Sequence, residues 1–361
     1  MKKVILGIAV LLVVLGFVFF NSTQKDTDKG IVNVKITPTP QQVLSATNSK
    51  EQKSLFVPYW ALTQEKIPSD TYDQFIYFGI AVNDNGIDKE ESGYVGLARF
   101  VGISGTTEKL LTIRMLDAKS NFAVLKDQAL QQKIITETIA TAKQYGFKGI
   151  VLDLEISSLP FASVTNQMDS FVKDFSNAAK KENLTFSMMF FGDTFYRLRS
   201  YDVLSLAKYL DYAFIMAYDF SKARLDPGPN FPLSGKEKYG YDFTVMVNDF
   251  LNVIPKEKLT VVFGMFGYDW TVDENKKSIK QAVSLSLYQI KEKFLTNCRF
   301  KNCSIKRDET SAETEVRYTD AKGDSHIVWF EDEVSATKKQ EFLKEQGINS
   351  IGFWAYSFFD N

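Results

Sequence analysis

The chain of 361 residues is poor in the side chains that bind metals and serve as nucleophiles. It has one histidine, His326, and two cysteines, Cys298 and Cys303. One histidine excludes a multi-histidine zinc site, and two cysteines exclude both a structural zinc site and a four-cysteine iron–sulfur cluster. No G-x-S-x-G turn accompanies the histidine, so a serine triad has no support. We therefore expect any catalysis to depend on carboxylates and tyrosines.

The chain also lacks an excess of charge of either sign. It has 43 Lys and Arg against 44 Asp and Glu, a net charge of −1. This balance gives no electrostatic reason to expect a nucleic-acid partner or adsorption to a membrane surface. Apolar residues make up 45% of the chain, which is typical of a globular protein with a large core.

The N-terminal segment is predicted to be a membrane anchor. Lys2 and Lys3 precede an uncharged run from Val4 to Phe20, which as a helix would reach roughly 25 Å, slightly less than a bilayer core of about 30 Å. Asn21, Ser22 and Thr23 follow two phenylalanines and form a poor cleavage site. We expect an uncleaved signal anchor over 1–20 and an extracytoplasmic location for the rest, with a cleaved secreted form as the alternative.

Residues 21–53 are polar and include a Thr-Pro-Thr-Pro stretch at 37–40, which predicts a flexible linker. Beyond it, over 54–361, strand-length apolar runs alternate with amphipathic segments. Continuous apolar runs are typical of parallel strands covered on both faces. Eight of them predict an α/β fold, a (β/α)8 TIM barrel, with a doubly wound sheet as the alternative. The predicted strands are Leu55–Leu62, Phe75–Val82, Leu110–Leu116, Gly149–Glu155, Leu184–Phe191, Tyr212–Asp219, Leu259–Tyr268 and Ile348–Ala355, and the predicted helices are 122–145, 163–181, 200–209, 241–253 and 334–346.

One long segment interrupts this alternation. Between the seventh and eighth strands, at about 272–330, the pattern predicts a helix over 276–294 followed by short polar strands. We interpret this as a small α+β insertion at the mouth of the barrel. Cys298 and Cys303 lie in it and are predicted to form a disulfide in an oxidising compartment, with two free thiols as the alternative. His326 lies in it too and is interpreted as structural or solvent-facing.

Two carboxylates share one face of the fourth predicted strand. Side chains alternate along a strand, so Val151, Asp153 and Glu155 point into the barrel. The two acids then lie at the carboxyl end of the strand, where barrel active sites are built. Close, buried like charges keep one proton available for general-acid work. The alternative is a pair of solvated acids, or Glu155 capping a loop.

A second cluster of residues strengthens the functional interpretation. On the sixth strand, Met216 and Tyr218 point inward and Asp219 follows at the rim. Aromatic residues, with one further acid, also fall at predicted strand ends, and each of them alone could be core packing. Together they suit the apolar faces and hydroxyl edges of a sugar. They are Tyr59, Trp60, Tyr268, Asp269, Trp270 and Trp354.

These motifs resemble glycoside hydrolase family 18. The run Gly149–Glu155 resembles the end of that family's D-G-x-D-x-D-x-E signature, and Met216–Asp219 resembles its M-x-Y-D motif. The run Leu259–Trp270 resembles the seventh strand of the branch that contains spore-germination and peptidoglycan-directed N-acetylglucosaminidases. Trp354 matches the tryptophan of the eighth strand, and the insertion after strand seven matches the one found in many members.

The resemblance implies a retaining mechanism that is assisted by the substrate. Glu155 would be the general acid and then the base, and Asp153 would orient the substrate's acetamido group. Tyr218 would hydrogen-bond the acetamido carbonyl, Asp219 would shape the −1 subsite, and Trp354 would be its floor. The substrate would be a β-1,4-linked N-acetylglucosamine glycan, either chitin-like or peptidoglycan, with no metal or cofactor required. Nothing demands more than a monomer.

The chain departs from the signature at two positions. Lys148 and Val151 replace its first two aspartates, and the second of these normally exchanges a hydrogen bond with the third. On the third strand Arg114 is predicted to lie near the carboxylates and to lower their pKa values. The loss at Val151 leaves a second hypothesis open, a glycan-binding protein on a catalytically weakened barrel.

Overall fold

The computed structural model describes residues 51–62, 67, 71–156 and 159–359. The predicted anchor over 1–20 and nearly all of the predicted linker over 21–53 lie outside the described residues. Within the described part, no helix is both long and apolar enough to cross a membrane.

The described chain forms fourteen strands and ten α-helices. The strands are β1 Gln52–Pro58, β2 Gln74–Asn83, β3 Gly86–Ile87, β4 Glu108–Met115, β5 Gly149–Leu154, β6 Thr185–Phe191, β7 Tyr212–Ala217, β8 Leu259–Gly264, β9 Phe266–Val272, β10 Val283–Ser286, β11 Lys301–Arg307, β12 Thr314–Thr319, β13 Ser325–Phe330 and β14 Ser350–Trp354. The helices are α1 Ser92–Val95, α2 Leu97–Ile103, α3 Ala118–Lys126, α4 Gln128–Gln144, α5 Ala162–Lys181, α6 Val203–Leu206, α7 Lys236–Tyr239, α8 Phe243–Leu251, α9 Leu287–Ile290 and α10 Glu333–Glu345.

Eight parallel strands close into a barrel, as the sequence predicted. Their order is β1-β14-β8-β7-β6-β5-β4-β2, and the pairing of β1 with β2 closes the ring. Every pairing within the ring is parallel. The predicted helix over 122–145 is divided in two. The side chain of Asp127 accepts a hydrogen bond from the backbone N–H of Leu130 and so begins α4 as its N-cap.

The predicted alternation along β5 is confirmed. Ile150, Leu152 and Leu154 belong to the core between the strands and the surrounding helices. Val151 points the other way, into a cluster that fills the barrel. The buried members of that cluster are Phe56, Ile76, Leu110, Val151, Met189, Phe214, Met216, Val262 and Ala355.

The insertion is an antiparallel sheet of five strands, in the order β10-β9-β13-β12-β11. The predicted seventh strand is in fact two strands that meet at Met265: β8 belongs to the barrel, whereas β9 belongs to the insertion. The predicted helix over 276–294 is wrong in its first half, because Val283–Ser286 pairs with β9 instead, and is confirmed only over Leu287–Ile290 and the π-helical turn Lys291–Leu295. Helical structure starts only after Ser286, whose side chain caps α9 in a reciprocal capping box with Gln289.

The two cysteines and the single histidine of the chain all make contacts within this insertion. Cys298 and Cys303 form a disulfide, with their Cα atoms 6.4 Å apart, as predicted. His326 Nδ1 lies 2.8 Å from Asp269 Oδ1, and the Tyr318 hydroxyl donates to Asp269 Oδ2 at 2.6 Å. These contacts give the histidine a structural place in the sheet.

Candidate active site

The carboxyl end of β5 brings two acids to one pocket. Asp153 is 2% exposed, and its Oδ1 atom has no hydrogen-bond partner among the described residues. Glu155 follows just after the strand and is partly buried. The pocket has a volume of about 360 Å³ and both acids line it. An unsatisfied carboxylate oxygen in a pocket is costly unless a ligand supplies a donor, so Asp153 is poised to accept a hydrogen bond from a bound molecule.

The backbone around Glu155 is held from two sides. Its N–H donates to the Met115 carbonyl at 2.9 Å, and its carbonyl accepts from Asn121 Nδ2 at 2.9 Å. On the other side the Tyr201 hydroxyl donates to the Leu154 carbonyl at 2.8 Å and accepts from the N–H of Ile156 at 3.2 Å. These bonds fix the direction in which the Glu155 side chain leaves the strand.

The environment of the pocket raises the pKa of both acids. Burial, followed by the charge of Glu155, raises the pKa of Asp153, and the Arg114 guanidinium partly opposes this. Burial likewise raises the pKa of Glu155, whereas the Lys222 ammonium lowers it. The predicted effect of Arg114 therefore holds in direction for Asp153. A carboxyl with a raised pKa retains the proton that a general acid must deliver.

Tyr218 and Asp219 complete the polar side of the pocket. Burial, reinforced by the nearby carboxylates, keeps the pKa of Tyr218 well above its usual value, so its hydroxyl remains a hydrogen-bond donor. Asp219 adopts a left-handed backbone with φ of 60°. Its N–H donates to Asn230 Oδ1 at 2.8 Å, and its Oδ1 accepts from the Tyr268 hydroxyl at 2.7 Å. These two bonds hold a backbone conformation that is unfavourable for a residue with a side chain.

A buried ion cluster supports this corner from the insertion. The backbone N–H groups of Asn230 and Phe231 donate to the Glu313 carboxylate at 2.5 and 2.7 Å. Lys339 Nζ lies 3.0 Å from Glu313 and also bonds Glu331, and all three charged side chains are fully buried. The insertion is therefore connected through Asn230 to the backbone of Asp219.

Aromatic side chains form the walls of the pocket. Trp354 packs against Phe78 with ring centroids 4.7 Å apart, and Tyr218 stacks on it at 6.3 Å. Trp60 lies 6.3 Å from Trp354 and is 49% exposed. Apolar ring faces beside hydrogen-bonding groups suit the two kinds of surface on a sugar ring. The further aromatic and apolar lining residues are Leu116, Met189, Phe191, Met216, Phe266, Tyr268 and Phe358.

Three of the predicted substrate-binding residues lie elsewhere. Tyr59 does not line the pocket but packs on Trp60 at 5.0 Å, with the Arg114 guanidinium 4.7 Å from its ring. Asp269 and Trp270 were placed at the end of a barrel strand, whereas β9 carries them into the insertion. There Asp269 bonds His326, and Trp270 is fully buried. The split of the seventh strand at Met265 explains both displacements.

Sequence reasoning missed one residue that lines the pocket, Lys222, and three that support it from outside. Lys222 lies in the loop after β7, and its ammonium is 5.1 Å from the Phe191 ring centroid. Asn121, Tyr201 and Asn230 make the bonds described above. The pattern Tyr-Asp-x-x-Lys at 218–222 was the one local signal, since a cation three residues after a predicted rim acid reaches the same rim. Among the described residues, no group of three or more His, Cys, Asp or Glu side chains is arranged to hold a metal ion.

Comparison with known proteins places this geometry in a family. The chain is 25% identical over 296 residues to the cortical fragment-lytic enzyme of Bacillus anthracis. The aligned region covers 77% of this chain and 63% of that protein. The chain thus spans less than two thirds of that relative's length. A class V chitinase from Nicotiana tobaccum shares the fold with a TM-score of 0.75 at 16% identity, covering 86% of this chain and 96% of that one.

A second solved structure agrees in fold. The spore cortex-lytic enzyme of Bacillus cereus matches with a TM-score of 0.66 at 20% identity, over 86% of this chain and 72% of that one. The family model for glycosyl hydrolases family 18 matches residues 39–358, most of the chain. The chain therefore belongs to the glycosyl hydrolases family 18.

Proposed function

We propose that this protein hydrolyses a β-1,4-linked glycan containing N-acetylglucosamine, with retention and with assistance from the substrate's own acetamido group. The observation that carries the proposal is the juxtaposition of Asp153 and Glu155 in an aromatic-walled pocket with Tyr218. Membership of the family supports the same reaction class.

In this mechanism Glu155 protonates the glycosidic oxygen, which needs the raised pKa that burial produces. The acetamido oxygen attacks the anomeric carbon as the leaving sugar departs. Asp153 accepts a hydrogen bond from the acetamido N–H through its unsatisfied Oδ1 atom, which makes the acetamido oxygen a better nucleophile. Tyr218 donates to the acetamido oxygen, and Asp219 shapes the subsite. Glu155, now a carboxylate, then removes a proton from the water that opens the cyclic intermediate.

Within this class we favour peptidoglycan over chitin as the substrate. Relatives named as cortical fragment-lytic enzymes support a cell-wall glycan. The apolar run over 4–20, which we propose as an anchor, would hold the barrel outside the membrane and beside the envelope.

The test uses the purified full chain with N-acetylglucosamine oligomers and with purified peptidoglycan. We expect product release from at least one glycan and its loss in Glu155→Gln, since the amide has no acidic proton to deliver. Glu345→Gln, an exposed glutamate on α10, is the matched control and should retain full activity. Release that survives in Glu155→Gln would overturn the assignment.

A second candidate function is favoured by Val151. This side chain is fully buried in the apolar interior directly below Asp153, where the family signature has an aspartate. A barrel weakened in this way would bind glycan without cleaving it. Binding without product release, at equal strength in the native chain and in Glu155→Gln, would favour this glycan-binding function.

A further inference from the structure

The pocket that holds Glu155 continues into a second, strongly basic cleft. This cleft has a volume of about 660 Å³ and shares Asp219, Lys222 and Tyr268 with the catalytic pocket. Its other lining residues are Arg197, Leu198, Arg199, Ala223, Arg224, Leu225 and Gln281. Four cationic side chains therefore lie next to the position at which the glycosidic bond would be cut.

Two of these cations are held in close ion pairs, whereas the other two are not. Arg197 and Arg199 both bond the buried carboxylate of Asp193, at 2.7 and 2.5 Å. Lys222 and Arg224 have no carboxylate within 4.0 Å in the part of the chain that the structure describes. Since Arg224 is exposed and Lys222 is partly exposed, both can contact a ligand in the cleft. The charge of Lys222 is partly offset by Asp219 in the same cleft and by Glu155, whereas no carboxylate of the described residues offsets the charge of Arg224.

Apolar side chains flank the cations. Leu198 is 74% exposed and Leu225 is 45% exposed, and both border the same cleft. An exposed leucine beside an unpaired cation suits a small substituent that combines a methyl group with a carboxylate. In chitin every sugar is neutral, whereas every second sugar of peptidoglycan carries a lactyl ether, which ends in a carboxyl group or a peptide.

We propose that this basic cleft is a subsite for a carboxylate on a sugar substituent next to the cleaved bond, with Arg224 and Lys222 as its cationic contacts. The inference rests on the proposed function, because it assumes that the glycan lies in the catalytic pocket. It makes the cleft the part of the protein that distinguishes an acidic glycan from a neutral one of the same linkage. A cation and a carboxylate in a partly enclosed cleft form a charge-assisted hydrogen bond that a neutral group cannot replace.

The experiment measures binding in the Glu155→Gln full chain, so that turnover plays no part. The ligands for calorimetric titration are the disaccharide of N-acetylglucosamine and N-acetylmuramic acid, and its methyl ester, which replaces the charge with one methyl group. We expect the acid to bind about fivefold to twentyfold more tightly at low salt, with the ratio shrinking as salt is added. Arg224→Gln should reduce this ratio, whereas Arg99→Gln, an exposed arginine on α2, should leave it unchanged.

A third ligand identifies which carboxylate of the glycan binds in the basic cleft. In the disaccharide bearing an L-Ala–D-Glu dipeptide, the lactyl carboxyl is an amide and the negative charges lie farther out. Tight binding of this ligand assigns the subsite to the peptide, and weak binding assigns it to the lactyl group. Equal binding of acid and ester, or a ratio that Arg224→Gln leaves intact, would overturn the proposal. Failure of the proposed function would instead appear as no product release by the native chain.

Discussion

Restoring an acid at position 151 tests how this barrel operates without it. Val151 lies between Thr112 on β4 and Ser187 on β6 in the strand register. Both hydroxyls are fully buried, and neither has a hydrogen-bond partner among the described residues. In Val151→Asp the new carboxyl would therefore meet two donors that are at present unsatisfied. Each such bond to a charged group contributes about 1.5–3 kcal/mol, which offsets much of the cost of burying the acid.

The electrostatic effect can be estimated from strand geometry. Positions 151 and 153 lie on one face of β5, roughly 6.6 Å apart at about 3.3 Å per residue. Two charges at that distance repel by about 2.5 kcal/mol at an effective dielectric constant of about 20, which is about two pKa units. The pair would therefore share a proton up to a pH about two units higher than one carboxyl alone.

That shared proton determines the expected gain. When it moves to the new carboxyl, Asp153 becomes a carboxylate and accepts a stronger hydrogen bond from the acetamido N–H. The difference between a charged and a neutral acceptor is about 1 kcal/mol or slightly more, so kcat should rise about fivefold to tenfold at pH values where Asp153 of the native chain still holds its proton. At higher pH Asp153 is a carboxylate in the native chain as well, and the gain should disappear.

The assay is the pH profile of kcat on N-acetylglucosamine oligomers, with the thermal midpoint recorded for each variant. Val151→Asn is the matched control, since its side chain has nearly the same shape but cannot take up a proton. An equal gain in Val151→Asn would refute the proton-sharing argument. A folded Val151→Asp protein with an unchanged profile would refute it too.

Three further perturbations probe the surroundings of the site. Lys222→Met removes a cation that lowers the pKa of Glu155, so Glu155 should keep its proton to higher pH. The high-pH limb of the kcat/KM profile should therefore shift to higher pH. A limb that stays in place or shifts to lower pH would contradict this expectation. Asn230→Ala removes the hydrogen bond from the Asp219 N–H and two hydrogen bonds to the carbonyls of Gly264 and Phe266. We expect the free energy of unfolding in urea to fall by about 3 kcal/mol and kcat to be lower. Full activity would show that Asp219 is held in place without Asn230. Burial raises the pKa of Glu331 to about 7, so the folded protein keeps a proton that the unfolded chain releases at lower pH, and stability falls as pH rises toward 7. Between pH 4 and pH 8 the free energy of unfolding should fall by about 3 kcal/mol less in Glu331→Gln than in the native chain. If the free energy of unfolding depends on pH in the same way in both proteins, Glu331 is not the group responsible.

The barrel could be predicted because its signal is local. Each strand is a short apolar run, and the direction of its side chains follows from counting along it, as the positions of Val151 and Asp153 show. The same counting placed Met216 and Tyr218 on the inner face and Glu155 at the rim. These residues are positioned by their own strands, so sequence order alone is informative.

The insertion was harder because its contacts are not local. Nothing in Leu259–Trp270 marks Met265 as the point where the chain leaves the barrel, since apolar and aromatic residues dominate on both sides of it. Val283–Ser286 becomes a strand because β9 is available to pair with it. Asn230 and Glu313 are 83 positions apart and yet bonded. Pairings at such separations are decided by the folded chain and leave no periodicity in the sequence.

The division of one apolar run between two sheets limits how this protein can be recombined. Tyr268, which bonds Asp219, lies on the insertion side of Met265, and Glu313, which holds the loop at Asn230, lies in the insertion as well. An exchange of the insertion with that of another family member, joined at Val272 and Phe330, would keep Tyr268 and discard Glu313. Lys339 and Glu331 would then remain buried beside a foreign surface. A workable chimera has to carry Phe266–Val272, Asn230, Glu331 and Lys339 along with the insertion, so the unit of exchange is larger than the inserted sequence.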